Sequence, residues 1–292
     1  MHAEVVPYCG VLSPGFGMED GLRVMRSEDL SAGDGIGWHG GVAAVGAVTK
    51  SSSHLASISA LATRVAACCR LLQSEGHLNY SGHVSARIPG EDEFLIHPFL
   101  NSRARVTSDD ILTCDLDGQL TAASRSGQPP REVFIHAEVY RARPDVQAVL
   151  HTHAELAAVF SVVAQPLVPI RGAAYRWRTG VPVHPYPSHI DTPAKGRAAA
   201  ATLGTHNALL LRSHGGVIVA EGIEAVLADA IHFDENARAL MQVIALGTYS
   251  APTESELDII EASYQRSSHV EKVWAYYIDR GLAAGILDPA AI

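Results

Sequence analysis

A chain of 292 residues, 47% apolar and 18% charged, carries enough apolar material for one enzyme-sized core and an extension. Its net charge of −9 comes without any cluster of Lys and Arg, which argues against nucleic acid as the partner. No run reaches ~18 uninterrupted apolar residues, and Met1-His2-Ala3-Glu4 lacks the basic-then-apolar start of a signal peptide. The expectation is a cytoplasmic protein that neither crosses nor binds a membrane. Cys9, Cys68, Cys69 and Cys114 show no C-x-x-C spacing and read as reduced thiols.

Residues 1–53 hold 10 of the 25 glycines and no sustained period, and they end in Lys50-Ser51-Ser52-Ser53. They read as a Gly-rich extension, flexible or loosely packed, with a short helix or strand near Gly21–Met25. From residue 54 to 292 the order becomes clear. Leu55, Ile58, Leu61, Val65, Cys68/Cys69 and Leu72 follow helical spacing, with Ser53 as cap and Gly76 as stop. Strand signals follow at His83–Ile88, Glu93–Ile96 and Ile111–Asp115. Pro129-Pro130 opens a helix over Arg131–Arg141 that stops ahead of Pro144. On it Glu132 and His136 are i and i+4 and share a face. A strand over Val146–His153 leads into a helix at Ala154–Val163. Strand signals recur at Leu167–Ile170 and Val181–His184, and Thr192-Pro193 starts a helix to Leu203. Strands Ala208–Leu211 and Val217–Ala220 flank His214. A helix spans Ile223–Leu246, and a last one spans about Glu254–Arg280. This alternation predicts an α/β domain with a mixed sheet and helices on both faces.

The chemistry-bearing residues sit at the ends of these strands. Residues i and i+2 of a strand project to one side, so His151 and His153 aim their imidazoles at one spot. In a chain with 15 histidines an H-x-H pair can arise by chance. Its companions are His214, which follows another apolar run, and Glu132, nineteen residues before His151. Three neutral nitrogens, an open position and a nearby carboxylate describe a catalytic metal site at one edge of the sheet.

The strings Gly82-His83-Val84-Ser85-Ala86-Arg87, Glu132–His136, Arg143-Pro144-Asp145, His151-Thr152-His153 and Ser213-His214-Gly215 resemble the class II aldolase/adducin family. The resemblance covers roughly Leu55–Leu246, and the Glu132–His151 and His153–His214 spacings are like those of its fuculose-phosphate aldolase branch. It implies a three-layer α/β/α fold with a central mixed sheet, and a homotetramer with active sites between subunits. It implies His151, His153 and His214 as ligands of one divalent metal ion (zinc, manganese or iron). Glu132 becomes the acid/base, or a further metal contact when no substrate is bound. Adducin-like members lose these ligands, so their retention here speaks for an enzyme.

Where aldolases of the family cradle a substrate phosphate, this chain has Gly82-His83, Phe99-Leu100 and Pro130-Arg131. Proline removes a donor, and Phe99 and Leu100 add apolar bulk, so a phosphate cradle is not expected. His83 and Arg131 suit a substrate carboxylate, with Arg103 and Arg105 either joining them or lying on the surface. Phe99 suits a flat ring. These features look like the branch that decarboxylates dihydroxyphthalates and pyridine dicarboxylates. The reading is thus a metal-dependent lyase, acting on a hydroxylated aromatic or heteroaromatic carboxylic acid, with Glu132 and His83 as catalytic groups. Arg131, Phe99, Gly82 and Tyr175 would contact the substrate. The alternatives are a non-phosphate aldolase and a non-haem iron oxygenase. Arg176, Trp177 and Arg178 are lesser site candidates. Tyr276 and Tyr277 read as helix packing, or as reaching a neighbouring subunit. His97 and His136 are candidates for orienting Glu132 or the ligand histidines. His184 and His189 read as structural or solvent-facing.

Overall fold

A computed structural model describes residues 52–289. The expected Gly-rich extension up to residue 51, its Gly21–Met25 segment and Cys9 lie outside the described residues. Ser52 and Ser53 already belong to helix α1 (Ser52–Ser74), so Ser53 is not its cap. Leu61, Val65, Cys68, Cys69 and Leu72 form the buried stripe of α1. The chain then turns at Gly76, whose φ of +82° suits a residue without Cβ. Although α1 has the length and apolarity of a membrane span, these buried residues pack it into the core beside the sheet and later helices.

Among the described residues seven strands form one sheet: β1 (His83–Arg87), β2 (Glu93–Ile96), β3 (Leu112–Asp115), β4 (Ala148–Thr152), β5 (Val183–His184), β6 (Ala208–Leu211) and β7 (Gly215–Ala220). They lie in the order β3-β2-β1-β4-β7-β6-β5. Neighbours run antiparallel except β5 and β6, which are parallel, so the sheet is mixed as expected. The remaining helices are α2 (Val133–Ala142), α3 (Glu155–Phe160), α4 (Pro193–Leu203), α5 (Ile223–Leu246), α6 (Glu254–Ser263) and α7 (Arg266–Ala283). Strand alternation splits the core in two. Val84, Leu150 and Ile218 face the layer of α1, α3 and α5, whereas Val149, Val217 and Val219 face α2 and α4. The three-layer α/β/α expectation holds. Cys68, Cys69 and Cys114 are buried free thiols, which burial pushes up to about 12 in Cys69 and Cys114.

Several expectations fail for identifiable reasons. No strand forms at Leu167–Ile170. There the Asn236 side chain of α5 accepts from the Ile170 and Arg171 amides and donates to the Val168 carbonyl, replacing a strand partner. The last helix is two. It breaks at Tyr264-Gln265, where Tyr264 bonds to His269 and Arg266 is anchored to Glu221 and Asp229 of the domain. Helix α2 starts two residues later than read, leaving Glu132 at the N-cap position instead of inside the helix. Finally, the strand carrying His151 is the central one of the seven, so the site is not at the sheet's edge.

Candidate metal centre

Alternation along β4 sends Val149, and with it His151, toward the α2 and α4 layer. His151 Nδ1 lies 3.1 Å from the Gly216 carbonyl of β7 and donates to it, since a carbonyl can only accept. That bond leaves the Nε2 lone pair free, as a metal-ligating imidazole requires. His153 lies just past the strand. The Thr152 hydroxyl holds this end in place by donating to the His77 carbonyl and accepting from the Ala154 amide. His153 Nε2 then comes to 3.0 Å from His151 Nε2.

His214 enters from the β6–β7 turn, where Ser213 takes a φ of +57°. The Ser213 amide donates to Ser161 Oγ, and the His214 amide donates to the Leu211 carbonyl. The buried Nε2 of His214 has no hydrogen-bond partner among the described residues. Glu132 completes the group. Its Oε1 accepts from the Ile190 amide at 2.8 Å, and its Oε2 lies 3.4 Å from His151 Nε2 and 3.5 Å from His214 Nε2.

The four donor atoms all lie within 4.8 Å of one another. A tetrahedral ion bound at about 2.0–2.1 Å needs donors about 3.3 Å apart, and the 3.0–3.5 Å separations match that edge. An orphaned buried Nε2 and three converging imidazoles are the donor set of a divalent metal ion, so the residues fit the group. Burial, then the neighbouring His151 and His214, bring the His153 pKa down to about 4, which keeps this ligand neutral at pH 7. Burial alone would push Glu132 up, but the adjacent His151 and His214 imidazoles and the hydrogen bond from the Ile190 amide hold it well below the usual carboxylate range.

A cavity of about 190 Å³ opens beside the cluster, lined by His83, Phe99, Arg103, Arg131, Glu132, His153 and His189 among others. Of the six residues standing where a phosphate cradle would be, Gly82, His83, Phe99, Pro130 and Arg131 line this cavity. Leu100 does not and is 82% exposed. Gly82 has a φ of +81°, and a Cβ there would meet Leu78 at 2.7 Å and the His151 carbonyl at 2.9 Å. Its smallness therefore serves the close approach to β4. Arg131 is largely exposed, 3.8 Å from Asp191.

Arg103 is buried. Its guanidinium donates to the Gly82, Phe99 and Asn101 carbonyls, and no carboxylate pairs with it among the described residues. Arg105 is exposed. His189 stands at the mouth, 3.7 Å from Glu132 Oε1.

Other candidates lie elsewhere within the chain. Tyr175 packs on Tyr264 beside α6, away from the cavity. Arg176 pairs with Asp229, Arg178 pairs with Glu254 and Glu261 of α6, and Trp177 packs on Phe233. These residues anchor the α6 region. His184 bonds to Thr202 of α4. Tyr276 is exposed, and Tyr277 packs toward the α1/α5 layer.

The sequence reading missed the Ile190 amide, since a backbone donor carries no side-chain signal. It also missed Ser85 and Tyr140, which bond to one another beneath His136. Their signal was present only as spacing, Ser85 two residues after His83 on the strand and Tyr140 four after His136 on the helix.

Residues 63–241 match the family profile described as Class II Aldolase and Adducin N-terminal domain. The chain is 30% identical to a 3,4-dihydroxyphthalate decarboxylase of Arthrobacter keyseri over 195 residues, 63% of this chain and 78% of the relative. It is 35% identical over 132 residues to a 4-hydroxy-3-prenylphenylpyruvate oxygenase/4-hydroxy-3-prenylbenzoate synthase of Streptomyces roseochromogenus. That match spans 45% of this chain and 46% of the relative. Among solved structures, an aldolase II superfamily protein from Pseudomonas syringae superposes with a TM-score of 0.69 at 22% identity, over 78% of this chain and 94% of that one.

Proposed function

The chain belongs to the class II aldolase and adducin family, and from that premise we propose that it is a metal-dependent lyase decarboxylating a hydroxylated aromatic or heteroaromatic carboxylic acid. The observation that carries this reading is Arg103, a buried cation without a carboxylate partner among the described residues, lining the same cavity as Glu132 and His153. A buried charge calls for a counter-charge, and a substrate carboxylate supplies one. Arg131 adds a second cation at the rim, and Phe99 offers a face for a flat ring. The decarboxylase relative supports the same class of substrate.

His151, His153 and His214 would hold the ion, which when bound supplies Lewis acidity toward substrate oxygens. Three neutral imidazoles and a carboxylate accommodate zinc, manganese or iron. The protein's own part is binding and proton transfer. Arg103, Arg131 and His83 orient the carboxylate. Glu132, held as a carboxylate, accepts the proton of a ring hydroxyl at Oε2. As the carbon–carboxyl bond breaks, its electron pair stays on the ring carbon, and Glu132 returns the proton there. The product hydroxyl is restored from solvent. The partner is a small carboxylic acid, and the assembly we infer is a homotetramer with sites at subunit interfaces, in the cytoplasm.

The test is a screen of hydroxylated benzene and pyridine carboxylic acids with purified, metal-analysed protein, with and without oxygen. Carbon dioxide released without oxygen supports the decarboxylase. An aldehyde product from a hydroxy-keto substrate would replace it with the aldolase. Strict oxygen consumption with bound iron would replace it with the oxygenase.

A further inference from the structure

Beneath the cavity the structure holds an unbroken line of buried polar groups. His83 Nδ1 is 2.6 Å from His136 Nε2, His136 Nδ1 is 2.6 Å from Ser85 Oγ, and Ser85 Oγ is 2.7 Å from the Tyr140 hydroxyl. Each of the four residues is buried. The line follows from matched periods. His83 and Ser85 are i and i+2 on β1, about 6.6 Å apart, and His136 and Tyr140 are i and i+4 on α2, about 6 Å apart. The strand pair and the helix pair therefore interlock along their length.

Such a line can run in only two directions, because each neutral imidazole has one donor and one acceptor nitrogen. In one direction His83 donates from Nδ1, His136 donates to Ser85, and Ser85 donates to Tyr140. The phenol proton then has no acceptor, since Ser85 would be donating to the hydroxyl and its other neighbour, the Val149 amide, can only donate. A buried donor left unmade keeps its full desolvation cost. In the other direction Tyr140 donates to Ser85, Ser85 to His136 Nδ1, and His136 Nε2–H to His83 Nδ1. Every proton between Tyr140 and His83 is then used, and the one left over, on His83 Nε2, belongs to a residue that lines the cavity. Burial also pushes the Tyr140 phenol well above its usual value, so it keeps the proton it must donate.

We propose that Tyr140, acting through Ser85 and His136, fixes His83 in the tautomer that carries its proton on Nε2, making His83 a hydrogen-bond donor to the cavity instead of a base. Tyr140 and His136 are positioning residues in this arrangement. The tautomer stands on the hydrogen-bond line alone. Its use, to hold a substrate carboxylate by a fixed N–H, rests on the reaction proposed above.

The experiment is side-chain nitrogen NMR of the metal-loaded, ¹⁵N-histidine-labelled protein, with the His83 signals assigned by their loss in His83→Asn. The wild type should show a protonated Nε2 and an unprotonated Nδ1. Tyr140→Phe, which removes only the end donor, should shift His83 toward the other tautomer or a mixture. Ser85→Ala, a second break in the line, should do the same if Tyr140→Phe folds poorly. A wild-type His83 protonated on Nδ1 would overturn the proposal. So would a His83 tautomer unchanged in both variants. These signals read out whether or not a substrate is known, so their failure is distinct from failure of the decarboxylase reading. With a turned-over acid in hand, Tyr140→Phe should lower kcat about 10-fold or more with KM changed about twofold at most. An equal loss through KM alone would count against the positioning role.

Discussion

Gly215 and the Thr152 carbonyl stand so close that a Cβ on Gly215 would lie 2.1 Å from that oxygen and 3.3 Å from the His153 Cα. The bare backbone after His214 is therefore what lets the β6–β7 turn press against the end of β4 and bring its histidine to the other two. Gly215→Ala should force these elements apart. We expect a loss of about 1–3 kcal/mol of stability, the range for overpacking a tight contact, and metal affinity lowered at least about tenfold, since ligands must be held near ideal geometry. Equilibrium dialysis against zinc, with urea unfolding alongside, measures both. Unchanged metal affinity would show that the turn can shift without cost to the site.

His151→Ala and His214→Ala remove a donor each from the cluster of four. Both variants should lose bound metal and activity while keeping the fold, because His214 comes from a turn and His151 from the end of its strand. Elemental analysis and circular dichroism read the two effects separately. Full metal occupancy and turnover in either variant would remove that residue from the ligand set.

Glu132→Gln preserves shape, and the amide oxygen can still accept from Ile190. Metal should stay bound through the three histidines. Turnover should fall by about 10²–10⁴, the usual range for a positioned acid or base. Normal turnover would take Glu132 out of the chemistry and leave it a structural anchor for the Ile190 loop.

Stability should fall on acidification through buried neutral histidines. Burial lowers His77 to about 4, with nearby Asp234 opposing and Arg238 assisting. Burial and Arg103 also lower His97 to about 4. A histidine depressed in the folded state binds its proton first in the unfolded chain, so stability is present above the unfolded pKa of about 6.5. It is lost progressively as pH drops from there to about 4, and the loss levels off below. Each histidine contributes at most about 3 kcal/mol to this loss. Urea midpoints at pH 7, 5.5 and 4.5 should decline, and His77→Gln should flatten the decline. A slope identical in that variant would rule out His77.

Much of this protein is legible before any coordinates. Apolar runs and period-3.6 patterns give β2, β6, α4 and α5 with their observed bounds, because the two strands are buried on both faces of the sheet and each helix turns one apolar face to the core. The His151–His153 pair, His214 and Glu132 also stand out, since chemistry restricts which residue types can hold a metal. Other features depend on partners distant in sequence. Leu167–Ile170 has the composition of a strand, but Asn236, 66 residues beyond Ile170, takes its hydrogen bonds. Arg103 reads equally as surface or site until Gly82, 21 residues away, turns its carbonyl toward the guanidinium.

The sequence by itself determined the layered architecture and the residues able to hold a metal, because both follow from local periodicity and side-chain chemistry. Only the tertiary structure decided that the cluster sits on the central strand and that Arg103 is buried beside it. It alone decided that His83 rests on a line of hydrogen bonds ending at Tyr140. The physical reason is that register, burial and hydrogen-bond direction belong to pairs of distant residues, and no single segment of chain contains both members.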